Sequence, residues 1–138
     1  MTTSPLQNAA RKLVVVDDER AFTSLLEAAL SEVFTFQIIT FTSPLEALEF
    51  LKRESIAMLV TDYHMPGIDG IRLVSELNGL QPGIPAIIVT GHNLEAHRQK
   101  AEAIPALKAI IQKPFGLKEL KDTISRHWQD DPASILRS

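Results

Sequence analysis

Short apolar runs alternate along the chain with longer segments in which apolar residues recur every three or four positions. The short runs are rich in valine, isoleucine and leucine, as in strands buried on both faces of a sheet. The longer segments have the period of amphipathic helices that bury one face. The pattern predicts five strands, at residues 13–16, 36–41, 57–61, 86–89 and 109–112.

The first two helices are predicted from their apolar faces and their caps. In the first, residues 20–33, Thr23 is expected on the solvent side, and the core side is formed by Phe22, Leu25, Leu26, Ala29, Leu30 and Val33. The second helix begins after a Ser43 cap with Pro44 in its first position. Its buried stripe is predicted to consist of Leu45, Leu48 and Leu51.

The later helices differ in the strength of their patterns. The third opens at Asp69 or Gly70, ends at the pair Asn78-Gly79, and buries Ile71, Val74 and Leu77. Residues 93–103 are nearly all polar, so we expect a loosely packed helix there. The last helix follows the spacing of Leu117, Leu120, Ile124 and Trp128.

Strands that alternate with helices predict right-handed crossovers and a parallel sheet with helices on both faces. The predicted fold class is therefore α/β, a doubly wound five-stranded parallel sheet flanked by five helices. Chain order alone does not determine strand order. In the order 2-1-3-4-5, the switch point between strands 1 and 3 forms a crevice at the carboxyl ends of the strands.

Three of the predicted strands end on charged residues that this crevice would bring together. Asp17 and Asp18 follow strand 1, Asp62 follows strand 3, and Lys113 follows strand 5. Carboxylates placed so close repel one another unless a cation joins them, and oxygen ligands open to solvent suit Mg²⁺. A carboxylate such as Asp62 can attack phosphorus to form an aspartyl phosphate. Phosphoryl transfer then needs a further cation, which Lys113 supplies.

The end of strand 4 adds small polar groups to the same edge. Thr90 offers a hydroxyl donor, and Gly91 beside it is expected to leave space for a phosphoryl group.

Composition narrows the class of protein. A length of 138 residues fits one domain, and 45% hydrophobic with 22% charged residues is typical of a folded globular protein. A net charge of −3 disfavours direct binding to nucleic acid. No cysteine is present and no apolar run approaches membrane-spanning length, so we expect a cytoplasmic protein without a membrane segment.

The organisation along the chain is expected to be simple. Residues 1–10 are polar and aperiodic and predict a disordered leader. Residues 11–128 form the domain, and residues 129–138 predict a C-terminal tail or the start of a linker.

Four motifs in this order resemble the receiver domain of two-component response regulators, over residues 13–128. They are Asp17-Asp18, Asp62 with the following Met65-Pro66-Gly67-Ile68-Asp69-Gly70, Thr90-Gly91, and Lys113-Pro114-Phe115. The resemblance implies a flavodoxin-like receiver fold. It also implies that Asp62 is phosphorylated by a histidine kinase or a histidine phosphotransfer protein. By the same resemblance the chain would catalyse only its own phosphorylation and dephosphorylation and would not be an enzyme in the usual sense.

The resemblance also implies roles for individual residues. Asp18 and Asp62 would bind Mg²⁺ directly and Asp17 through water, with the backbone carbonyl of His64 as a further ligand. Lys113 would pair with the phosphoryl group, and Thr90 would move to bond it. The Lys113-Pro114 peptide would be cis.

The predicted switch consists of Thr90, Gly91 and Ile110. The family has Tyr or Phe three residues before the lysine, where this chain has Ile110. A β-branched side chain is stiff, so we expect Ile110 to stay in place. Phosphorylation would instead shift residues 93–103 and their junction with strand 5, creating a face for a downstream protein partner or a second copy of the chain.

Three other interpretations remain open at this stage. One is a Mg²⁺-dependent phosphatase with an aspartyl nucleophile, for which Glu19 is the poorly matching acid two residues after Asp17. Another is a pseudo-receiver that acts unphosphorylated. The third is a zinc site at His64 and His92, which would need another close ligand besides these two histidines.

Overall fold

The computed structural model describes residues 11–129 and 135–137. The predicted leader at residues 1–10 lies outside this part of the chain. Within it, no helix has the length and hydrophobicity needed to cross a membrane.

Strands and helices alternate from the first described residues to the last helix. The strands are β1 (Lys12–Val16), β2 (Gln37–Phe41), β3 (Met58–Asp62), β4 (Ala86–Thr90) and β5 (Leu107–Gln112). The helices are α1 (Arg20–Ser31), α2 (Pro44–Arg53), α3 (Gly70–Leu80), α4 (Arg98–Glu102) and α5 (Leu117–His127), with a 3-10 turn at Glu95–His97 before α4. The five strands form one parallel sheet in the order β2-β1-β3-β4-β5. This confirms the predicted fold class and strand order.

Side chains of the central strands point alternately into two apolar layers. In β1, Val14 and Val16 belong to the layer that also receives α2 and α3. Leu13 and Val15 belong to the opposite layer, with residues of α1 and α5. Every residue of β3 and β4 is buried, as expected for strands covered on both sides. The parallel arrangement places all five strand carboxyl ends on one edge of the sheet.

The predicted buried faces of the first two helices were partly wrong. Leu25 and Leu45 are 56% and 55% exposed. Thr23, expected on the solvent side, is buried, and its hydroxyl donates to the backbone oxygen of Arg20 at 3.0 Å. In α2 the buried position between Pro44 and Leu51 is occupied by a small residue, Ala47. A helix lying on a sheet buries a stripe narrower than its apolar residues occupy, so periodicity alone does not select the contact residues.

Three predicted helices also have different bounds. The first, predicted to reach residue 33, ends at Ser31. Helix α3 continues through Asn78-Gly79 to Leu80, where the backbone N–H of Gln81 donates to Leu77 at 2.7 Å. The predicted helix 93–103 is a short 3-10 turn followed by the five residues of α4. Only Leu94 and Ala101 of that segment are buried, which agrees with the loose packing expected there.

Part of the predicted tail packs against the domain. Ile135 is fully buried, and its backbone oxygen accepts a hydrogen bond from the Thr35 N–H at 2.8 Å. Leu136 forms an antiparallel bridge with Phe34. Beside them, the Trp128 ring stacks on Phe36 with centroids 4.4 Å apart. The division of the chain at residue 128 stays a prediction.

Candidate functional site

Three carboxylates meet at the carboxyl ends of β1 and β3, the two strands on either side of the switch point. Asp17, Asp18 and Asp62 each offer a ligand oxygen, and these atoms all lie within 4.8 Å of one another. Asp17 is 1% exposed and Asp62 is 8% exposed, whereas Asp18 faces solvent. Within residues 11–129 and 135–137, no other group of three acidic or histidine residues is so close together. The expected convergence of these residues is thus present.

Backbone hydrogen bonds fix the two buried carboxylates. Asp17 Oδ1 accepts from the Glu19 N–H at 2.9 Å, and the Asp17 N–H donates to the backbone oxygen of Phe41 at 3.1 Å. Asp62 Oδ1 accepts from the Tyr63 N–H at 2.9 Å. The N-cap residue of α1 is Glu19, which makes no side-chain capping bond. Asp17 therefore binds the backbone at the start of α1 and also belongs to the acidic group.

Lys113 enters the acidic group from the end of β5. Its Nζ lies 3.1 Å from Asp17 Oδ2 and 3.7 Å from Asp62 Oδ1. The Lys113 N–H donates to the backbone oxygen of Thr90 at 2.7 Å. The Lys113-Pro114 peptide is cis, which confirms the expectation drawn from the resemblance.

The protonation of Asp62 reflects its surroundings. Burial is the main cause that raises the pKa of Asp62 above its ordinary value, and the charge of Asp17 adds to it. The positive charge of Lys113 and the hydrogen bond from Tyr63 act in the opposite direction but do not reverse the shift. Because the ionised Asp62 carboxylate is partly removed from water and lies near the negative charge of Asp17, a cation bound at this position would stabilise it.

Thr90, the last residue of β4, and Gly91 after it lie at the same edge of the sheet, and Thr90 makes a contact other than the one expected of it after phosphorylation. Thr90 is buried, and its hydroxyl accepts from the His92 N–H at 2.9 Å. Gly91 is exposed, and a Cβ placed on it would meet no atom within 4 Å. The absence of a side chain at Gly91 is therefore not required by crowding in this structure.

The loop after β3 is fixed at both ends. Gly67 has a φ of 95°, a conformation that favours glycine. The Asp69 carboxylate accepts from the Arg72 N–H at 2.8 Å, so Asp69 caps α3 and is not a member of the acidic group. The Gly70 N–H donates to the backbone oxygen of Tyr63 at 2.7 Å. These contacts hold the backbone that follows Asp62 against the first turn of α3.

An aromatic and imidazole cluster borders the acidic group. The rings of His64 and His92 are 5.1 Å apart, and Tyr63 lies 6.4 Å from His92 and 6.0 Å from His97. No histidine joins a group of three close ligands within the described ranges, so the zinc alternative gains no third ligand. The role of the His64 carbonyl oxygen as a metal ligand stays a prediction.

Two neighbouring features escaped the sequence reasoning. Phe22, predicted on the core side of α1, is partly buried against the core, and its ring also lies under the Lys113 ammonium, with Nζ 4.3 Å from the ring centroid. Helical periodicity contains no signal for this contact. Ile110 is 37% exposed on the edge strand β5, where it borders a cavity of about 370 Å³ between β5 and the segment 93–102.

Comparison with known proteins assigns the family. The family model for the response regulator receiver domain matches residues 13–125. This chain is a response regulator receiver domain. Its acidic group fits the phosphoacceptor site of that family, and the phosphatase and pseudo-receiver alternatives are not favoured.

Curated relatives of this receiver domain are longer proteins. It is 34% identical over 123 residues to the C4-dicarboxylate transport transcriptional regulatory protein DctD of Rhizobium meliloti, covering 86% of this chain and 25% of that protein. It is 31% identical over 124 residues to the DNA-binding transcriptional regulator NtrC of Escherichia coli, covering 84% of this chain and 25% of NtrC. The chain thus spans about a quarter of the length of these relatives.

Solved receiver domains share the fold. The response regulator TrrA of Thermotoga maritima, in complex with Mg²⁺ and BeF, is 25% identical with a TM-score of 0.72, covering 84% of this chain and 97% of that one. The beryllofluoride-activated NtrC4 receiver domain dimer is 28% identical with a TM-score of 0.75, covering 86% and 97%. The Vibrio cholerae chemotaxis protein CheY4, 21% identical with a TM-score of 0.75 and coverage of 86% and 98%, is similar in fold.

Proposed function

We propose that this receiver domain accepts a phosphoryl group on Asp62, in a Mg²⁺-dependent reaction, from a histidine kinase or a histidine phosphotransfer protein. The observation that carries the proposal is the position of the Asp62 carboxylate, 3.7 Å from the Lys113 ammonium and within the group formed with Asp17 and Asp18. In that position the nucleophile, the metal ligands and the charge-neutralising cation adjoin one another.

The acidic group suits Mg²⁺ because all three side-chain ligands are carboxylate oxygens and one of them, on Asp18, is open to solvent. Asp17, Asp18 and Asp62 would hold the ion, with the backbone carbonyl of His64 as a further ligand. Bound there, Mg²⁺ would neutralise charge on the transferring phosphoryl group.

The protein groups act by position and charge. An Asp62 carboxylate oxygen attacks phosphorus, the P–N bond to the donor imidazole breaks, and its electron pair returns to the ring nitrogen. Lys113 neutralises the phosphoryl oxygens, and the Thr90 hydroxyl donates to one of them after it leaves His92. Attack by water on the same phosphorus, with cleavage of the P–O bond to Asp62, releases inorganic phosphate and restores the carboxylate. The chain thus acts on its own Asp62 and on no further substrate.

A phosphodonor protein must bring its imidazole to Asp62, so it must contact the surfaces that surround the crevice. Beside Lys113 lies an apolar groove of about 420 Å³, formed by α1 and the start of α5 and lined by Phe22, Leu25, Leu26, Pro114, Phe115 and Leu117. Leu25 in this groove is 56% exposed. We assign this groove to the donor contact because it adjoins the site that the donor must reach.

We propose that the output face, the surface that changes on phosphorylation, is formed by the segment after β4 and by the edge strand β5. Thr90 and Gly91 lead through His92 into the segment 93–103, which has few buried residues, so that its conformation is easily shifted. That segment and the exposed edge strand β5, with Ile110, border the cavity of about 370 Å³. Phosphorylation would reshape this face for a downstream protein partner or a second copy of the chain, while Ile110 stays in place.

Two further expectations complete the proposal. With a net charge of −3 this domain should make no direct contact with nucleic acid. We also propose a cytoplasmic location without membrane contact, on the basis of family membership and the cysteine-free sequence.

The aspartyl-phosphatase alternative meets a geometric objection. It requires Asp17 as the nucleophile, but this residue is 1% exposed and both its oxygens are engaged, by the Glu19 N–H and by Lys113. An external substrate would reach Asp62 before it reached Asp17.

The test of phosphorylation uses acetyl phosphate, Mg²⁺ and intact-mass spectrometry. The protein should gain one labile phosphate, as expected for an acyl phosphate, and Asp62→Asn should gain none. Lys113→Ala should be phosphorylated at least tenfold more slowly. Modification that persists in Asp62→Asn would place the acceptor elsewhere.

The test of output uses amide NMR spectra with and without beryllofluoride and Mg²⁺. Signals of residues 93–111 should shift together with those of the crevice. If no amide signal beyond His92 shifts, the proposed output face is wrong. The proposal that Asp62 is phosphorylated does not depend on that result.

A further inference from the structure

The ammonium of Lys113 has an aromatic neighbour as well as its acidic ones. Nζ lies 4.3 Å from the centroid of the Phe22 ring, well inside the distance of about 6 Å at which a cation is attracted to a ring face. The same Nζ contacts Asp17 at 3.1 Å and Asp62 at 3.7 Å. Three neighbours, two charged and one aromatic, therefore define where the ammonium lies.

The Phe22 ring is itself held in place. Phe115, two residues after Lys113, meets it edge-on with centroids 6.2 Å apart and an angle of 84°. The Phe22 N–H donates to the backbone oxygen of Glu19 at 3.1 Å, and the Glu19 N–H is held by Asp17. The carboxylate that pairs with Lys113 thus also anchors the helical turn that carries Phe22.

We propose that Phe22 is a positioning residue for phosphoryl transfer, holding the Lys113 ammonium over its ring face and directed at the phosphoryl oxygens. The proposal rests on the role of Lys113 in the proposed function. Lysine has a long flexible stem and loses rotamer freedom when its charge is fixed in one place. A ring face restrains the ammonium without offering an oxygen lone pair, so the N–H donors stay available for carboxylate and phosphoryl oxygens. It also keeps water from one side of the charge, which strengthens its field.

The competing explanation is that Phe22 only fills space between α1 and Phe115. A leucine of similar burial would then serve equally well, and the identity of the ring would not matter. The two explanations differ in their response to aromatic and aliphatic replacements, which provides the test.

The experiment compares Phe22→Leu, Phe22→Tyr and Phe22→Trp with the unchanged protein. For each we would measure the rate constant of phosphorylation by acetyl phosphate at saturating Mg²⁺, the affinity for beryllofluoride, the affinity for Mg²⁺ and the melting temperature. Phe22→Leu should lower the rate constant and the beryllofluoride affinity about two- to fivefold, the range of one cation–π contact. Its Mg²⁺ affinity should stay unchanged, and the aromatic variants should retain both values.

Two controls separate positioning from packing. In a Lys113→Ala background, Phe22→Leu should have no further effect on the rate constant, because the group that it positions is gone. NMR signals of the Lys113 Cε methylene should carry a ring-current shift that Phe22→Leu abolishes and Phe22→Tyr preserves.

Several outcomes would overturn the proposal. These are an unchanged rate constant in Phe22→Leu, an equal loss in the leucine and tyrosine variants, or a loss that persists without Lys113. If the unchanged protein bound no phosphate at Asp62 while the ring-current shift was present, the proposed function and this role of Phe22 would both fail. A phosphorylated protein with no leucine effect would remove the role of Phe22 alone.

Discussion

Gly70 packs directly against the backbone of Asp62, and a Cβ at Gly70 would overlap the Asp62 carbonyl oxygen and meet the Tyr63 Cα at 3.0 Å. The first residue of α3 and the candidate phosphoacceptor are thus in backbone contact. Only a residue without a side chain allows this approach. The small size of glycine at position 70 therefore allows the backbone of Asp62 to lie where it does.

Gly70→Ala should therefore destabilise the domain, whereas Gly79→Ala in the same helix should not. The added methyl group at Gly70 must push backbone atoms apart, at a cost of about 1–3 kcal/mol in the free energy of unfolding. At Gly79 nothing lies within 4 Å of the added Cβ, and alanine gains up to about 1 kcal/mol by its helix propensity. Urea denaturation of both variants measures the two signs, and equal effects would contradict the backbone contact.

Gln81, just after α3, joins three backbone groups of another part of the chain. Its Oε1 accepts from the Ile56 N–H at 3.0 Å, and its Nε2 donates to the backbone oxygens of Leu51 at 2.9 Å and Glu54 at 2.8 Å. It thereby satisfies carbonyl groups at the end of α2 and the residue that leads into β3.

Gln81→Ala should lower the free energy of unfolding by about 1–3 kcal/mol, because it leaves the N–H of buried Ile56 without its partner. Gln81→Glu keeps the acceptor but places a negative charge against two carbonyl oxygens, and should cost a similar amount at neutral pH. Gln99→Ala, at an exposed position of α4, is the matched control and should change stability by less than about 0.5 kcal/mol. Unchanged stability in both Gln81 variants would show that water replaces the side chain at no cost.

The contacts of Gly70, Gln81 and Phe22 mark the limit of what the sequence could predict. The acidic group was predictable because strands of a parallel sheet end on one edge, so Asp17 and Asp62 meet in any such fold with this strand order. The three partners of Gln81 lie 25, 27 and 30 residues away in sequence, and no period or motif links them to Gln81. The stripe buried by a helix is also set by its docking angle, which is why Thr23 is buried and Leu25 is exposed.

Ile135 contributes to the core from beyond the last helix. It is fully buried, while its neighbour Leu136 is 45% exposed. Ile135→Ala should lower the free energy of unfolding by about 2–4 kcal/mol, the cost of removing buried methyl groups from a packed core. Leu136→Ala should cost less than about 1 kcal/mol. Denaturation curves with equal midpoints for the two variants would mean that residue 135 is not part of the core in solution.

Mg²⁺ should raise the melting temperature, because it relieves repulsion among carboxylates that exists only in the folded chain. Asp18→Asn should weaken this effect, since Asp18 belongs to the acidic group and faces solvent. Asp122→Asn, which removes an exposed partner of Lys118, should respond to Mg²⁺ like the unchanged protein. Equal stabilisation of Asp18→Asn and the unchanged protein would place the ion elsewhere.

Trp128 fluorescence should report Mg²⁺ binding poorly. Trp128 stacks on Phe36, which precedes β2 and so lies at the amino-terminal ends of the strands, away from the acidic group at their carboxyl ends.

The raised pKa of Asp62 makes stability depend on pH in a direction opposite to that of a salt-bridged carboxylate. Burial, chiefly, and the charge of Asp17 favour the protonated form in the folded state. A carboxyl with a higher pKa when folded binds more protons folded than unfolded, so its contribution to stability is present at low pH. That contribution is lost as pH rises from the ordinary Asp value of about 3.9 through the folded value.

Asp62→Asn should consequently stabilise the domain at pH 7 in a buffer free of divalent cations. Asparagine cannot ionise, yet its side-chain oxygen still accepts from the Tyr63 N–H that Asp62 binds at 2.9 Å. We expect a gain in melting temperature of roughly 2–6 °C, equivalent to on the order of 1 kcal/mol. The gain should shrink toward zero below about pH 4, where Asp62 is protonated in both states, and should shrink again when Mg²⁺ is added at pH 7. Melting curves at several pH values, with Asp122→Asn as the exposed control, measure this difference. A less stable Asp62→Asn at pH 7 would mean that the attraction of Lys113 outweighs burial and the charge of Asp17.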